Sequence, residues 1–241
     1  MPIALESEFR QISGSAWRAV EFQHTTSTRK LVATQDEQEI LEGILDRTKP
    51  PAPREALQLD YLLMTPFRYD APYPIGSRFR RSGSTEGVFY ASEQIRTALA
   101  EFCYYRLRFF NESPNTTLPT QSERLTIFSV EYMSSRALDL AQPPFRENRA
   151  IWIHPSDYIA TQELTDQARE AGADLIRYES ARDIEHGVNL ALLSCAVFGA
   201  NAPIERQTWF LYLSDAEANC TRANANNHDD HWTLKREQFA I

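Results

Sequence analysis

The residues of this 241-residue chain that could do chemistry fall in an ordered series. Arg68 closes the stretch TPFRY, and Arg78, Arg80 and Arg81 come next in GSRFRRSG. Tyr90 sits in GVFYAS, Glu101 in TALAEF and Ser180 in RYESARD. Guanidinium forks donate parallel hydrogen bonds to phosphate oxygens. An aromatic face attracts a cationic ring, and a carboxylate stabilises positive charge that develops on a reacting carbon. Ser180 has no adjacent base in sequence to activate it as a nucleophile. Each residue alone also has an ordinary structural explanation. Arginine clusters form surface salt bridges, Tyr90 could belong to a core, and Glu101 could pair with Arg96 or Arg106. The formal net charge of −8 argues against a broad basic footprint for nucleic acid. An anion bound by this chain must therefore be met by a local cluster of arginines.

The elements that must position these residues are read from periodicity and punctuation. TQDEQEILEGILDRT reads as a helix with a Thr34–Glu37 capping box and an apolar face of Ile40, Leu41, Ile44 and Leu45. It stops before the prolines of KPPAP, which mark a boundary. A strand is expected near Tyr61–Arg68, then a loop closed by Pro72 and Pro74, then a short buried strand over 87–91. Residues 92–110 read as a helix capped by Ser92, with Ile95, Ala98, Leu99 and Phe102 on one face and Glu101 at its edge. Further strands are expected over 124–133, 174–178, 188–194 and 206–215, with a helix over 156–172 ending at Gly172. Short strands interrupted by a few helices indicate an α+β fold.

Other chemistries find little support. Eight glycines, with no phosphate-loop pattern and no G-x-G-x-x-G, nearly exclude a Gly-rich nucleotide cradle. The HDDH run at 228–231 has metal-type residues, but consecutive positions in a polar loop converge poorly. His24, His154 and His186 stand outside any motif, and Cys103, Cys195 and Cys220 lack C-x-x-C spacing and read as reduced thiols. The first residues, MPIALESEFRQISGS, contain no apolar h-region, and no stretch approaches a membrane-spanning length. A cytoplasmic protein without membrane contact is expected.

Taken together, GSRF, GVFYAS, TALAEF and RYESARDIEHGVNLALL make residues 60–198 resemble the RES domain, a family named for its Arg, Glu and Ser residues. Carried over onto this chain, Arg68 and Arg78 match the two arginines, Tyr90 the tyrosine, Glu101 the glutamate, Ser180 the serine and Asn189 the asparagine. The chain departs from the family pattern at Ser77-Arg78-Phe79-Arg80, where Gly-Arg-Trp-Asn is common, and at Glu179, where proline is common. The resemblance implies an ADP-ribosyltransferase-like mixed β-sheet core with flanking helices and consumption of NAD. It also implies a toxin-type phosphorylase or glycohydrolase that cleaves the nicotinamide–ribose bond. Protein ADP-ribosylation, or a catalytically silent nucleotide- or partner-binding domain, are the alternatives. In this reading Glu101, Arg78 and Ser180 are catalytic, while Arg68, Arg78, Tyr90 and Asn189 bind the dinucleotide, Ser180 holding a phosphate oxygen. No cofactor or metal is required: NAD is the substrate and inorganic phosphate the candidate co-substrate. An Xre-type helix-turn-helix antitoxin is the implied partner, without direct nucleic-acid binding by this chain. The expected organisation is a mainly helical N-terminal segment over 1–55, a catalytic domain over 56–220 against which it packs, and a polar tail over 221–241. The first segment is a candidate surface for self-association or antitoxin contact.

Overall fold

Strand β3 (Glu123–Asp139) organises the molecule. The computed structural model describes residues 5–22, 32–48, 50–68, 74–113, 115–225 and 230–239. Leu125 and Ile127 point to one side of β3, and Phe128, Val130 and Tyr132 carry the opposite alternation; residues 125–130 are all buried. A strand covered on both faces is the ordinary cause of such an unbroken run. β3 pairs antiparallel along one edge with β1 (Arg10–Glu21), from Arg10↔Ala137 to Glu21↔Leu125. Its other edge pairs first with β6 (Glu205–Leu213) and then, in parallel, with β4 (Leu175–Glu179). β5 (Val188–Leu192) joins β4 to β2 (Phe89–Ser92), and Trp17↔Ser92 joins β2 back to β1. Strands β1, β2, β5, β4 and β3 thus close on themselves, while β6, β7 (Glu217–Arg222) and β8 (His231–Lys235) extend the sheet as an antiparallel wing.

The five-stranded ring shares a face built from Ala16, Phe89, Ala91, Phe128, Val130, Leu175, Leu190 and Leu192, against which Leu63 and Phe67 pack. Two helices cover opposite parts of the other face. Helix α3 (Ile95–Glu112) lays Leu99, Cys103 and Leu107, at i, i+4 and i+8, onto Leu125, Ile127 and Trp209. Beyond the short helix α4 (Arg149–Trp152), helix α5 (Ile159–Glu170) sets Leu164 and Ala168 against Ile176 and Ala191. α5 ends where Gly172 takes φ +80° and its N–H returns to Arg169 O, the C-terminal turn that favours glycine. The strip of ring left between α3 and α5 carries the outward side chains of β2 and β5.

Most of the expected elements are present, and the α+β class holds with its mixed sheet and flanking helices. Helix α1 (Gln35–Thr48) starts at the expected capping box: Glu37 N–H donates to Thr34 Oγ1 (3.2 Å) and Thr34 N–H to Glu37 Oε2 (3.1 Å). Four expectations need correction. The N-terminal segment is not helical throughout, since beside α1 it contributes β1, a twelve-residue strand of the ring. Its Ser13, Gly14, Ser15 and Ala16 are too small to advertise a period, and Gly14 faces Tyr132, whose hydroxyl would stand 3.2 Å from an added Cβ. The apolar face of α1 is not packed down either: Ile40, Ile44 and Leu45 are exposed. The strand expected near Tyr61–Arg68 is a short helix, α2 (Tyr61–Met64), continued by a 3₁₀ turn at Thr65–Phe67. Asp60 caps it by accepting from Leu62 N–H (2.9 Å), and Pro66 cannot donate to a ladder. Finally, the segment expected as a polar tail is not polar throughout: among its described residues β8 pairs with β7, and Leu234 and Phe239 are buried beneath α3. His24, His228, Asp229 and Pro72 lie outside the described residues. Among the described residues no cluster of side chains could hold a metal ion, and no helix is long and apolar enough to cross a membrane.

Candidate active site

The stretch that packs three arginines into four positions folds as a tight turn, with Ser77 N–H donating to Arg80 O (2.7 Å) and Arg80 N–H to Ser77 O (3.2 Å). The turn sends the arginines three ways. Arg81 goes outward to Asp166 (2.6 Å), and Arg80 closes the loop by donating to Ile75 O (3.0 Å). Arg78 turns inward and is 7% exposed. Its guanidinium donates to Trp152 O (2.7 Å) and His154 O (2.9 Å) and lies 4.7 Å from the centre of the Tyr158 ring. Thr161 Oγ1 in turn donates to Arg78 O (2.6 Å), tying the turn to α5. Only one arginine of the cluster therefore enters the cleft.

Tyr90 on β2 stands over this turn. Its hydroxyl accepts from Phe79 N–H (3.0 Å) and shares a hydrogen bond with Ser77 Oγ (2.8 Å), which fixes the ring and leaves its face for a ligand. Burial raises the Tyr90 phenol above its ordinary value, opposed by those two hydrogen bonds and by the charges of Arg80 and Arg78. Burial raises Tyr178 as well, with Glu101 adding to the effect. Both phenols stay neutral near pH 7.

Glu101 lies one third of the way along α3, at the edge of its apolar face as expected, and is half-buried. Ser180 Oγ donates to its Oε1 at 2.7 Å, and Asn189 Nδ2 donates to the same oxygen at 2.6 Å. Ser92 Oγ donates to Asn189 Oδ1 (2.6 Å), which fixes the orientation of the amide. Oε2 engages no described residue. Arg96 and Arg106, the alternative partners suggested by spacing, pair instead with Asp183 and Glu123. The carboxylate is therefore not consumed by a salt bridge; one oxygen anchors it and the other remains for chemistry.

Arg78, Tyr90, Glu101 and Asn189 line one cleft of about 310 Å³ together with Trp17, Arg18, Ser92, Phe102, Tyr105, Tyr158, Tyr178 and Arg182. Its volume and aromatic walls with a few convergent polar groups are those of a small-molecule site. Two expected roles do not fit this geometry. Ser180 is fully buried, and its Oγ, besides donating to Glu101, accepts from Arg182 N–H and Asp183 N–H, both at 3.0 Å. A hydroxyl has one proton and two lone pairs, so no capacity remains for a phosphate oxygen. Arg68 ends the 3₁₀ turn after α2, where its Nη2 lies 3.9 Å from Met64 Sδ, and it is not among the residues lining the cleft. Ser92, expected to cap α3, belongs to β2 and serves Asn189 instead. Asn189 is itself 2% exposed and directs its amide at Glu101. Glu179, the carboxylate beside Ser180, is neutralised by Arg149 (2.6 Å).

The structure also adds residues that spacing did not mark. Arg18 lines the cleft from β1, with Nη1 donating to Tyr90 O (2.9 Å). It comes from the N-terminal segment, far from the motif-bearing stretch. Locally WRAV and TPFRY offer equivalent aromatic–arginine pairs, and nothing in either string says which one faces the cleft. Arg182 was visible only as a charge two residues beyond Ser180.

A family model described as RES domain matches residues 52–214. Strand β1, with Trp17 and Arg18, lies outside that match. A chain of the crystal structure of the M. tuberculosis MbcT–MbcA toxin–antitoxin complex superposes with a TM-score of 0.50 and 11% identity, covering 84% of this chain and 88% of that one. At that identity the likeness is one of fold. No curated protein matches the chain.

Proposed function

The chain belongs to the RES domain family, and on that premise we propose that its cleft consumes NAD by breaking the nicotinamide–ribose bond. The observation that carries this reading is the state of Glu101: a carboxylate anchored through Oε1 by Ser180 and Asn189, with Oε2 unengaged among the described residues, in an aromatic cleft that also holds Arg78. As the bond breaks, its electron pair moves to the nicotinamide nitrogen and neutralises the ring, while the ribose carbon gains oxocarbenium character. A fixed negative charge beside that carbon stabilises the transition state more than the ground state. An oxygen of inorganic phosphate or of water then forms the new bond to carbon; when water attacks, Oε2 is the group within the site suited to take its proton. Arg78 meets the diphosphate, and the Tyr90 face meets the cationic nicotinamide ring.

Ser180 and Asn189 act in this scheme by orienting Glu101 rather than by touching substrate. The ring of five strands, closed through β1, supports an ADP-ribosyltransferase-like core for the domain. The fold shared with a chain of a toxin–antitoxin complex supports a toxin role with an antitoxin partner. No cofactor is needed by this chemistry. The test is to incubate purified protein with NAD, with and without inorganic phosphate, and follow free nicotinamide. Phosphate-dependent release identifies a phosphorylase and phosphate-independent release a glycohydrolase. No release under either condition removes the reading.

A further inference from the structure

We infer that Arg182 joins Arg78 to form one seat for a phosphoryl oxyanion on the Tyr158 side of the cleft. This deepens the reading above and rests on it only for the identity of the molecule that carries the phosphoryl group. Arg182 is 4% exposed and Arg78 7%. Both address Tyr158: the Arg78 guanidinium lies over its ring, and Arg182 Nη2 donates to its hydroxyl (3.2 Å). Every other partner of the two is uncharged. Arg78 donates to Trp152 O and His154 O, whereas Arg182 donates to Pro155 O and lies 3.5 Å from the centre of the Tyr104 ring.

Four other arginines are treated differently. Arg81, Arg96, Arg149 and Arg177 each pair with a carboxylate, from Asp166, Asp183, Glu179 and Glu93 respectively. Among the described residues Arg78 and Arg182 form no ion pair. Burial strips water from a charge, and a buried cation ordinarily has an anion beside it. Two such cations line one cavity, with carbonyls of residues 152–155 fixing both; they outnumber its single lining carboxylate, Glu101, and leave positive charge for a ligand to meet. Nε and Nη1 of Arg182 and Nε of Arg78 engage no described residue, so each guanidinium keeps N–H donors that a phosphoryl oxygen can accept from.

The phosphoryl group could belong to a nucleoside diphosphate or to free inorganic phosphate, and calorimetry separates the two sources. The wild-type protein is titrated with ADP and, separately, with inorganic phosphate; binding of either at one site supports the seat, and the one that binds names its source. Arg182→Met should weaken that binding at least tenfold, while Arg81→Gln, a change to an exposed arginine held by Asp166, should leave it within twofold. Tyr158→Phe removes only the hydroxyl that holds Arg182 and should weaken binding severalfold. It carries the test alone if a thermal melt shows Arg182→Met to be unfolded. The inference is overturned if wild type binds neither probe, if folded Arg182→Met binds like wild type, or if Tyr158→Phe leaves affinity unchanged when it is the only folded variant. Nicotinamide release is measured on the same wild-type sample: binding without release counts against NAD cleavage and leaves the seat standing.

Discussion

Replacing Ser180 with alanine removes one oxygen atom that does three things at once. It donates one of the two hydrogen bonds that fix Glu101 Oε1, and it accepts from the backbone N–H groups of Arg182 and Asp183. A hydrogen bond to a charged group contributes about 1.5–3 kcal/mol, which converts to roughly a 10- to 100-fold loss of rate if it is expressed in the transition state. The two orphaned N–H groups are buried with residue 180, and each costs about 1–3 kcal/mol when nothing else satisfies it. The variant should therefore be slower and also less stable, with Asn189 still holding the carboxylate in part.

The kinetic signature separates the two roles that Ser180 could have. If it orients Glu101, kcat for nicotinamide release falls about 10- to 100-fold while KM for NAD and for phosphate stays within about threefold, because no substrate contact is lost. If it binds a phosphate oxygen, KM for phosphate, or for NAD through its diphosphate, rises and kcat at saturation is preserved. Steady-state rates over a matrix of NAD and phosphate concentrations distinguish these, with circular dichroism confirming the fold at the assay temperature. Saturating kcat equal to wild type, with a raised KM, would refute the assignment drawn from the hydrogen bonds. Ser180→Thr keeps the hydroxyl and should recover part of the rate if the added methyl fits.

Glu101→Gln keeps the shape of the side chain and removes its charge, so release of nicotinamide should fall on the order of a hundredfold or more; turnover near wild type in the folded variant contradicts the role of the carboxylate. Arg68→Gln should change KM for NAD less than threefold, since Arg68 does not line the cleft, whereas Arg18→Gln should raise it about tenfold; the reverse ranking would restore Arg68 to the site. Tyr90 and Tyr178 are raised by burial above the ordinary phenol value of 10.0, so the folded protein keeps protons that the unfolded chain releases near that pH. Their stabilisation is complete below about pH 10 and is lost as pH climbs from there toward the folded values. Melting temperature should fall above about pH 10, and Tyr178→Phe should fall less steeply; parallel declines would show that Tyr178 is not a source of the loss.

How much of the molecule is legible in its sequence depends on how far each feature relies on distant chain. Helix α3 is legible because Leu99, Cys103 and Leu107 repeat at helical spacing within it, and Glu101 at the edge of that face inherits its position from the same repeat. Helix α1 is legible from a cap closed within four residues. Strand β1 is not, because it is held by Leu125–Ala137, more than a hundred residues away, and its small side chains leave no period of their own. The cleft shows the same division. Tyr90 and Asn189 sit on the paired strands β2 and β5, so their order along the chain already reflects a shared surface. Arg78, Tyr158 and Arg182 meet only because a turn, the N-terminal end of α5 and the loop after β4 converge. A one-dimensional motif can record the residues that an ordered run of elements carries, but it is blind to a strand that enters from outside the run. That is why β1 could complete both the ring and the cleft, through Trp17 pairing with Ser92 and Arg18 donating to Tyr90 O, without any motif residue marking it.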